Sequence, residues 1–466
     1  MFDDKVPVIE VNRNNYERYL PLLKSSIKHA DIIALDLELS GIGNHYGLKG
    51  KPFQERYERI VETVKTRSIL SIGISIFNLY KCIEEKKTIK LKNISFNLMT
   101  MSSDNYVVEP DALAFLSKHG FDFNRLINSA ILYSIKSRTG LLTILLKDIL
   151  SSGASIIFHN GFVDLAFLYH HLFNQIPETI GVFQSSIYDW FTDEGINSDK
   201  FFGGRGLFYD SKFAAASDQY FATFLEYVFR KSQRSNVLEY RDSRLYVRVK
   251  FSKDYGSAEI DADDIDYVDC SMSPHFLKNN FAINKESIDS LCPFYAQSGF
   301  CRKNDCEKVH EVDLMLDIEC QKSLKKRRRT TSNNSASGAP MKKKSRGLPK
   351  AVTRKLESSD TETGEEESEL GFHEKTHFST KGCHRAGMDA FMTGFYVIFS
   401  QRMHLFKYQT LDPAFSNQTL VPGLEKPLPL VNSSYAPSSE KHREIWAECQ
   451  QKKIKNLKFK SGIKFI

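Results

Sequence analysis

The chain has 466 residues, of which 41% are hydrophobic and 26% are charged, and this length predicts two or three domains with at least one sizeable core. It has no run of about 18 apolar residues and starts without the basic and apolar regions of a signal peptide, so we expect an intracellular protein without a membrane partner. Eight cysteines are too few for a disulfide scaffold. The net charge of +7 is modest, but the basic residues cluster, which indicates a polyanionic partner more than the total charge does.

The first candidate site lies at the end of an aliphatic strand predicted over residues 32–39. This strand carries Asp36 and Glu38, which the period of two places on the same face. Two neighbouring carboxylates on an apolar strand need a neutralising group, and a divalent cation is the usual one. The alternative is a strand end whose carboxylates lie in solvent. Further acids later in the chain would favour the cation site over this alternative.

Further elements follow in an order typical of an α/β sheet with an antiparallel portion, flanked by helices. Strands are predicted at 68–77, 91–98, 155–158 and 207–210, and helical patterns at 52–65, 111–150, 212–231 and 386–399. A further helix begins after His159 and Asn160 and carries Asp164 in its first turns. Asp389 lies in the apolar helix of residues 386–399, five residues after His384.

Four carboxylates on three apolar segments are what a two-metal phosphoryl-transfer site requires. Histidine has a pKa near neutrality, so His384 is the candidate general base that takes a proton from the attacking water. Two alternatives stay open at this point. Asp164 would also suit a helix N-terminus because of the helix dipole, and His384 would also suit a helix cap.

The spacings D-x-E, H-N-x-x-x-D and H-x-x-x-x-D resemble the three exonuclease motifs of the histidine-bearing DEDD superfamily. Segments 67–69, 120–124, 209–212 and 384–387 are similar to the poly(A)-specific ribonuclease and Caf-type deadenylase group. This resemblance implies an RNase H-like mixed sheet, two catalytic Mg²⁺ ions held by Asp36, Glu38, Asp164 and Asp389, His384 as general base, and RNA as substrate. It also implies a structural role for Asp210, and it is poorest at residues 129–133, a difference that concerns the substrate groove and not the chemistry.

A cysteine cluster follows the nuclease-like segments. Cys292, Cys301, Cys306 and His310 have the spacing C-x8-C-x4-C-x3-H, which predicts a closed, structural Zn²⁺ site. The alternative is a set of free thiols in a reducing compartment. The spacing resembles CCCH fingers that bind single-stranded RNA, so the candidate RNA contacts are Phe294, Tyr295, Phe300, Arg302 and Lys303, although a protein partner would fit nearly as well.

The predicted domains are a discontinuous nuclease domain (1–235 and 371–405), an inserted polar segment (236–285), the finger (286–315), a disordered charged linker (321–370) and a C-terminal extension (406–466). Two basic clusters in the linker suit a bipartite nuclear import signal, or alternatively a solvated loop or a nonspecific phosphate contact. They are Lys325, Lys326, Arg327, Arg328, Arg329, Lys342, Lys343 and Lys344.

The leading functional prediction is a nuclear, magnesium-dependent 3′-to-5′ exoribonuclease that trims 3′ adenosines or short 3′ tails and releases 5′-mononucleotides. A finger between the second and third motifs resembles a nuclear branch of the group, which implies small nuclear RNA maturation and a Cajal body or nucleolar location. The alternatives are a DNA 3′ exonuclease and a catalytically inactive RNA-binding scaffold. Related enzymes are often dimeric, but no heptad pattern in this sequence demands a homodimer.

Overall fold

A computed structural model describes residues 5–43, 51–83, 87–192, 205–251, 260–278, 283–301, 303, 305–333, 385–421 and 426–463. The strands are β1 (Lys5–Val11), β2 (Ile32–Leu39), β3 (Ile69–Ile83), β4 (Thr88–Ser102), β5 (Ile131–Tyr133), β6 (Ser155–Phe158), β7 (Phe208–Asp210), β8 (Tyr246–Phe251), β9 (Ile265–Asp269), β10 (Gln418–Thr419) and β11 (Leu428–Pro429). The helices of the first half are α1 (Tyr16–His29), α2 (Phe53–Thr66), α3 (Pro110–Lys118), α4 (Phe123–Ser129), α5 (Leu141–Ser151), α6 (Phe162–Leu168) and α7 (Ile180–Phe191). Those of the second half are α8 (Ser211–Ser217), α9 (Leu225–Arg241), α10 (Pro274–Leu277), α11 (Lys285–Ser290), α12 (Pro293–Ser298), α13 (Val312–Asn333), α14 (Ala386–Ser400), α15 (Arg402–Tyr408) and α16 (Glu440–Ile463).

One mixed sheet organises the described part of the chain. Its strand order is β7-β6-β2-β3-β4-β1-β9, and β5 and β8 also pair with β4. The strand β3 runs antiparallel to both of its neighbours, β2 and β4, whereas β6 and β7 continue parallel to β2. The predicted α/β class, a mixed sheet flanked by helices, is confirmed.

Both faces of the sheet are buried at β2 because helices cover each of them there. Ile33 and Leu35 of β2 point into a core shared with α1, α2, α5 and α6. Their neighbours Ile32 and Ala34 point the other way, into a core shared with α9 and α14. This alternation follows from the period of two along a strand, and it places the side chains of Asp36 and Glu38 on the face covered by α14.

Residues 236–285 are not the separate insertion that the sequence predicts. The helix α9 continues to Arg241, β8 pairs in parallel with β4, and β9 pairs antiparallel with β1. Val247 and Val249 on β8 are buried in the core that the sheet forms with α9 and α14. The burial of these two alternate residues holds β8 on the sheet. The segment is therefore part of the nuclease domain.

The linker boundary also differs from the prediction. The helix α13 starts two residues after His310 and continues to Asn333, so residues 321–333 are helical rather than disordered. The cluster of residues 325–329 lies on this helix, and Lys342, Lys343 and Lys344 lie outside the described residues. The import signal stays a prediction.

The C-terminal segment belongs to the core as well. The helix α16 presents one buried stripe at intervals of three or four residues, which is the spacing of a single helix face. The stripe consists of His442, Trp446, Cys449, Lys453, Leu457 and Lys460. The ring of His442 stacks on Tyr169 at a centroid distance of 5.7 Å, and Trp446 and Cys449 join the core around α5. Among the described residues, none of the helices combines the length and the apolar character of a membrane span.

The side chain of Lys460 caps the C-termini of two helices, and its replacement by methionine is expected to destabilise the protein. Its ammonium donates to the carbonyl oxygens of Ala30 and Ser152, the residues that cap the C-termini of α1 and α5. Methionine fills the space but leaves two buried carbonyls without this donor, at a cost of about 2 kcal/mol. Urea unfolding should show this loss for Lys460→Met and a much smaller one for Lys455→Met, an exposed position on the same helix. Equal midpoints would contradict the capping role.

Candidate active site

Two carboxylates project from β2 toward α14. Asp36 is paired with Gly73 of β3 in the antiparallel ladder, and Glu38 is paired with Ser71. Glu38 is buried and Asp36 is half-buried, so both carboxylates are largely withdrawn from bulk solvent. The residues between and beside them, Leu35 and Leu37, are buried in the opposite core, which fixes the direction of both carboxylates.

Asp389 reaches this pair because α14 lies directly on the sheet. A side chain at Gly73 would be impossible without rearrangement, since a Cβ atom there would lie 1.8 Å from the carbonyl oxygen of Ala386. The close approach brings the third carboxylate in from the first turn of α14. One carboxylate oxygen from each of Asp36, Glu38 and Asp389 lies within 4.8 Å of the others.

Asp164 approaches the same strand from the first turn of α6. Backbone N–H groups, including that of Leu37 between Asp36 and Glu38, act to lower the pKa of its carboxylate, and its own charge raises the pKa of both of those acids. The loop before α6 is held by Asn160, which has a left-handed φ of 59° and donates its N–H to Asp210 at 3.0 Å. The structure therefore brings all four predicted acids together around the end of β2.

The electrostatics of the cluster show the effect of crowded buried acids. Burial, followed by the charges of Asp389, Glu38 and Asp164, raises the pKa of Asp36 well above its usual range. Burial and the charges of Asp389 and Asp164 do the same to the pKa of Glu38. Burial also raises the pKa of Asp164 to about 7, with a contribution from Asp210, against the opposing effect of backbone N–H groups.

The donor set fits a hard divalent cation. Mg²⁺ prefers carboxylate oxygens, and the gathered carboxylates of Asp36, Glu38 and Asp389 present at least one oxygen each within a small volume. A cation would neutralise the repulsion that raises the pKa values of these acids. The role of the four residues as metal ligands stays a prediction.

His384 lies outside the described residues, so its predicted role as general base stays a prediction. The next residue, Arg385, precedes the first turn of α14 and forms an ion pair with Asp266 of β9. A second histidine, His159, is not a suitable base. Burial, together with Lys212, lowers its pKa to about 3, and its Nδ1 lies 2.7 Å from the hydroxyl of Ser211.

Asp210 has a structural role, as the sequence indicates. Its Oδ1 accepts the backbone N–H groups of Asn160, Lys212 and Phe213, and its Oδ2 accepts the hydroxyl of Thr419 and the N–H of Leu420. Five donors occupy this buried carboxylate, which leaves it unavailable as a metal ligand. Asp210 instead connects the loop before Asp164 with α8 and β10.

The sequence motifs did not reveal the polar residues of the sheet that contact the start of α14. The Oδ1 of Asn97 on β4 accepts the N–H of Gly387 at 3.2 Å and the hydroxyl of Ser71 at 2.8 Å. Its Nδ2 donates to the buried carboxylate of Glu10 at 3.0 Å. A signal was present, since Asn93, Ser95 and Asn97 interrupt a buried strand at every second position and therefore face the same side.

The predicted zinc ligands also converge. Ligand atoms of Cys292, Cys301, Cys306 and His310 lie within 4.8 Å of one another. The sulfur of Cys292 is 3.7 Å from that of Cys301 and 3.9 Å from that of Cys306. Tetrahedral zinc with bonds of about 2.3 Å separates its sulfurs by about 3.8 Å, so the site fits zinc. Burial acts to raise the pKa of Cys292, but backbone N–H groups and the neighbouring thiols outweigh it and lower the pKa.

One predicted RNA contact of the finger is wrong. Tyr295 is only 4% exposed, its ring stacks on His310 at 5.0 Å, and its hydroxyl donates to Glu226 of α9. It faces inward on α12, whereas Phe294 and Phe300 are each 55% exposed and Lys303 is also exposed. Arg302 lies outside the described residues.

Buried ion pairs connect the helix that follows the finger to the nuclease domain. The fully buried Arg230 of α9 binds Asp313 at 2.6 Å, and Arg234 binds Asp313 at 2.9 Å and Asp317 at 2.5 Å. Both acids lie in the first turns of α13, directly after His310. Removal of one partner from such a buried network would leave an uncompensated charge and would be strongly destabilising.

The chain belongs to the CAF1 family of ribonucleases. The model of this family matches residues 11–143 and 134–397, which include Asp36, Glu38, Asp164, His384 and Asp389. The family predicted from the exonuclease motifs is thus confirmed.

Individual relatives are more distant. The pre-piRNA 3′-exonuclease trimmer of Bombyx mori is 25% identical over 138 residues, which cover 29% of this chain and 26% of the trimmer. The poly(A)-specific ribonuclease PARN of Xenopus laevis is 29% identical over 135 residues, 27% of this chain and 21% of PARN. The alignments thus span about a quarter or less of these relatives. The RNase domain of yeast Pop2 is similar with a TM-score of 0.32 and 13% identity, over 51% of this chain and 79% of that domain.

Proposed function

We propose that this protein is a magnesium-dependent 3′-to-5′ exoribonuclease that shortens 3′ adenosine tails or short 3′ tails of RNA. The observation that carries the proposal is the meeting of Asp36, Glu38, Asp389 and Asp164 around one strand end, in a chain of a ribonuclease family. The name of the silkworm relative describes a 3′-exonuclease, and that of PARN a poly(A)-specific ribonuclease.

The role proposed for each residue follows from the chemistry of its side chain. Asp36, Glu38, Asp164 and Asp389 would hold the ions and orient them at the end of β2. Bound Mg²⁺ would supply a water of lowered pKa and would stabilise the negative charge on the leaving oxygen. His384 would accept the proton of the attacking water. Cleavage of the last phosphodiester would release a 5′-mononucleotide and leave a new 3′ hydroxyl.

The direct test is the product pattern from an RNA with a 3′ oligoadenylate tail. We expect stepwise shortening from the 3′ end and release of AMP with Mg²⁺, and no shortening in EDTA. A matched DNA oligonucleotide should be cut much more slowly, since the proposal names RNA as the substrate. Equal rates on DNA would favour the DNA exonuclease, and the absence of any product with Mg²⁺ would favour the inactive scaffold.

We further propose that the protein acts in the nucleus on small nuclear RNA. The finger between the second and third motifs resembles the target of EGR type of this group, which supports a nuclear location and maturation of small nuclear RNA as the process. Replacement of Lys325–Arg329 and Lys342–Lys344 by neutral residues should then shift the protein from the nucleus to the cytoplasm. Sequencing of small nuclear RNA 3′ ends in cells without the protein should reveal longer tails.

The exposed rings of the finger are expected to contribute to the binding of long RNA but not to the binding of short substrates. Phe294→Ala combined with Phe300→Ala should raise KM for long RNA about tenfold, because stacking of one base contributes about 1–3 kcal/mol. One zinc per chain and kcat on a short oligoadenylate should be retained. Tyr435→Ala removes an aromatic residue that is 99% exposed elsewhere and serves as the matched control. Equal KM values for the two variants would exclude the finger rings from the RNA path.

A further inference from the structure

A positively charged surface lies on the sheet at some distance from the carboxylates. The parallel pairing of β4 with β8 places Lys90 opposite Arg248 and Lys92 opposite Lys250. Their chain neighbours Ile89, Leu91, Val247 and Val249 are buried in the α9 and α14 core. The four cations therefore share the outer side of the two strands, and we call this surface the basic strand face.

The arrangement has an electrostatic cost. Like charges directly opposite each other on neighbouring strands destabilise a sheet. Among the residues that the structure describes, no carboxylate forms an ion pair with any of these four cations, although nearby Arg244 pairs with Glu239 and Asp242. The repulsion is therefore not relieved by the described part of the chain.

Protection of a sheet edge does not account for the whole surface. Lysines often prevent edge strands from pairing with other chains, and this would explain Lys250 on β8. However, β4 is an interior strand with β3 on one side and β8 on the other, so Lys90 and Lys92 protect no edge. An aromatic residue completes the surface, since the 62% exposed ring of Tyr80 lies 5.1 Å from the ammonium of Lys92.

The position of the surface relative to the active site suggests which part of a ligand it meets. Asn97 lies in one row across the sheet with Gly73 and Asp36, and Lys92 follows five residues away along β4, or about 17 Å. Because side chains alternate along the strand, Lys92 and Asn97 also point to opposite faces. A nucleotide at the carboxylates is therefore out of reach of the basic strand face.

We propose that the basic strand face binds the phosphate backbone of the substrate RNA several nucleotides upstream of the 3′ end. The inference rests on the proposed function for the identity of the RNA as substrate. An acidic protein partner is a poorer fit, because protein interfaces have an apolar centre depleted in charge, whereas this face is built from four cations around a single ring. Clustered lysine and arginine with an exposed aromatic residue is the composition of sequence-independent nucleic-acid contacts.

The test compares two fourfold variants with the same loss of charge. One carries Lys90→Gln, Lys92→Gln, Arg248→Gln and Lys250→Gln. The control carries Lys24→Gln, Lys426→Gln, Lys441→Gln and Lys455→Gln, all at exposed positions elsewhere. Binding of labelled RNA is measured in EDTA over a series of salt concentrations, with an oligoadenylate of about 6 nucleotides and an RNA of about 40. KM and kcat are measured separately with Mg²⁺.

We expect the basic strand face variant to bind the long RNA at least tenfold more weakly near physiological salt. The slope of log K against log salt should become shallower by about 3, because four phosphate contacts on a single strand contribute about 0.7 each. Binding of the short RNA and its kcat should stay within about twofold of wild type, and the control should match wild type throughout.

Equal salt slopes for the two variants would overturn the proposal, as would an equal loss on short and long RNA, which would place the cations at the 3′ end. The binding measurements in EDTA and the kinetic measurements with Mg²⁺ also distinguish failure of this proposal from failure of the proposed function. If wild type releases no nucleotide with Mg²⁺ while the slopes in EDTA differ, the exonuclease assignment fails and RNA binding by this face stands.

Discussion

Asp36→Asn is expected to abolish nucleotide release while leaving the fold intact. One oxygen of the Asp36 carboxylate lies within 4.8 Å of ligand oxygens of Glu38 and Asp389. Its replacement removes a charged metal ligand but keeps size and shape. Metal ions contribute several kcal/mol of transition-state stabilisation in such sites, so the rate should fall by at least about 1,000-fold. Asp111→Asn, at an exposed position on α3, should retain the full rate.

The same variant should be more stable than wild type when no metal is present. The pKa of Asp36 is raised in the folded state, so the folded protein holds a proton that the unfolded chain releases near its usual pKa of about 4. The contribution of these acids to stability is therefore largest at low pH and is lost as the pH rises through the folded pKa values, of which that of Asp164 is about 7. Asparagine carries no charge, so the variant should lose less stability over this range.

The measurement is a thermal unfolding midpoint between about pH 5 and about pH 8, in EDTA and in Mg²⁺. For wild type, the midpoint in EDTA should fall as the pH rises, and Mg²⁺ should restore it most strongly at the high end, because the ion competes with protons for the same oxygens. Asp36→Asn should show a smaller fall and little response to Mg²⁺. A midpoint of wild type that is independent of both pH and Mg²⁺ would count against a metal site.

The convergence of the acids could be predicted in part from local geometry, and the resemblance to the exonuclease motifs supplied the rest. The period of two put Asp36 and Glu38 on one face, and a carboxylate among apolar neighbours, as at Asp389, requires a partner that neutralises it. The fold class followed from the order of strands and helices in the same way. Spacing within the finger likewise indicated the four ligands that the structure brings together.

Features that depend on distant partners were not predictable in this way. β8 and β9 each offer too few buried residues to stand out from a polar segment, and only their pairing with β4 and β1 makes them part of the sheet. On α16 the buried stripe contains Lys453 and Lys460, which give the sequence a polar character. Their partners, the carbonyl oxygens of Trp190, Ala30 and Ser152, are several hundred residues away along the chain.

The orientation of Tyr295 illustrates the same limit on a smaller scale. Adjacent aromatic residues in the finger look equivalent in sequence, but the short helix α12 turns Tyr295 toward α9 and Phe294 toward solvent. The choice between them depends on Phe224, which lies 5.8 Å from the ring of Tyr295, and on Glu226. Neither residue is near the finger in sequence.

Gly73→Ala is expected to disable the site without touching a carboxylate. The absence of a side chain at Gly73 allows the start of α14 to lie on β3, and the added Cβ would meet the carbonyl carbon of Ala386 at 2.0 Å and the backbone nitrogen of Gly387 at 2.5 Å. All of these are backbone atoms, so no side chain can rotate away. The helix has to move, and Asp389 has to move with it. A misplacement of about 1 Å at a catalytic group costs about 100-fold in rate.

Loss of stability is expected in parallel, because overpacking of a filled core costs about 3 kcal/mol at the upper end of its range. Gly140→Ala is the matched control, since its Cβ would meet no atom within 4 Å. Circular dichroism should show that both variants fold, whereas only Gly73→Ala should lose nucleotide release and the Mg²⁺-dependent rise in thermal midpoint. Full activity of Gly73→Ala would mean that α14 does not position Asp389 through this contact, and the four-carboxylate arrangement would then have to be reconsidered.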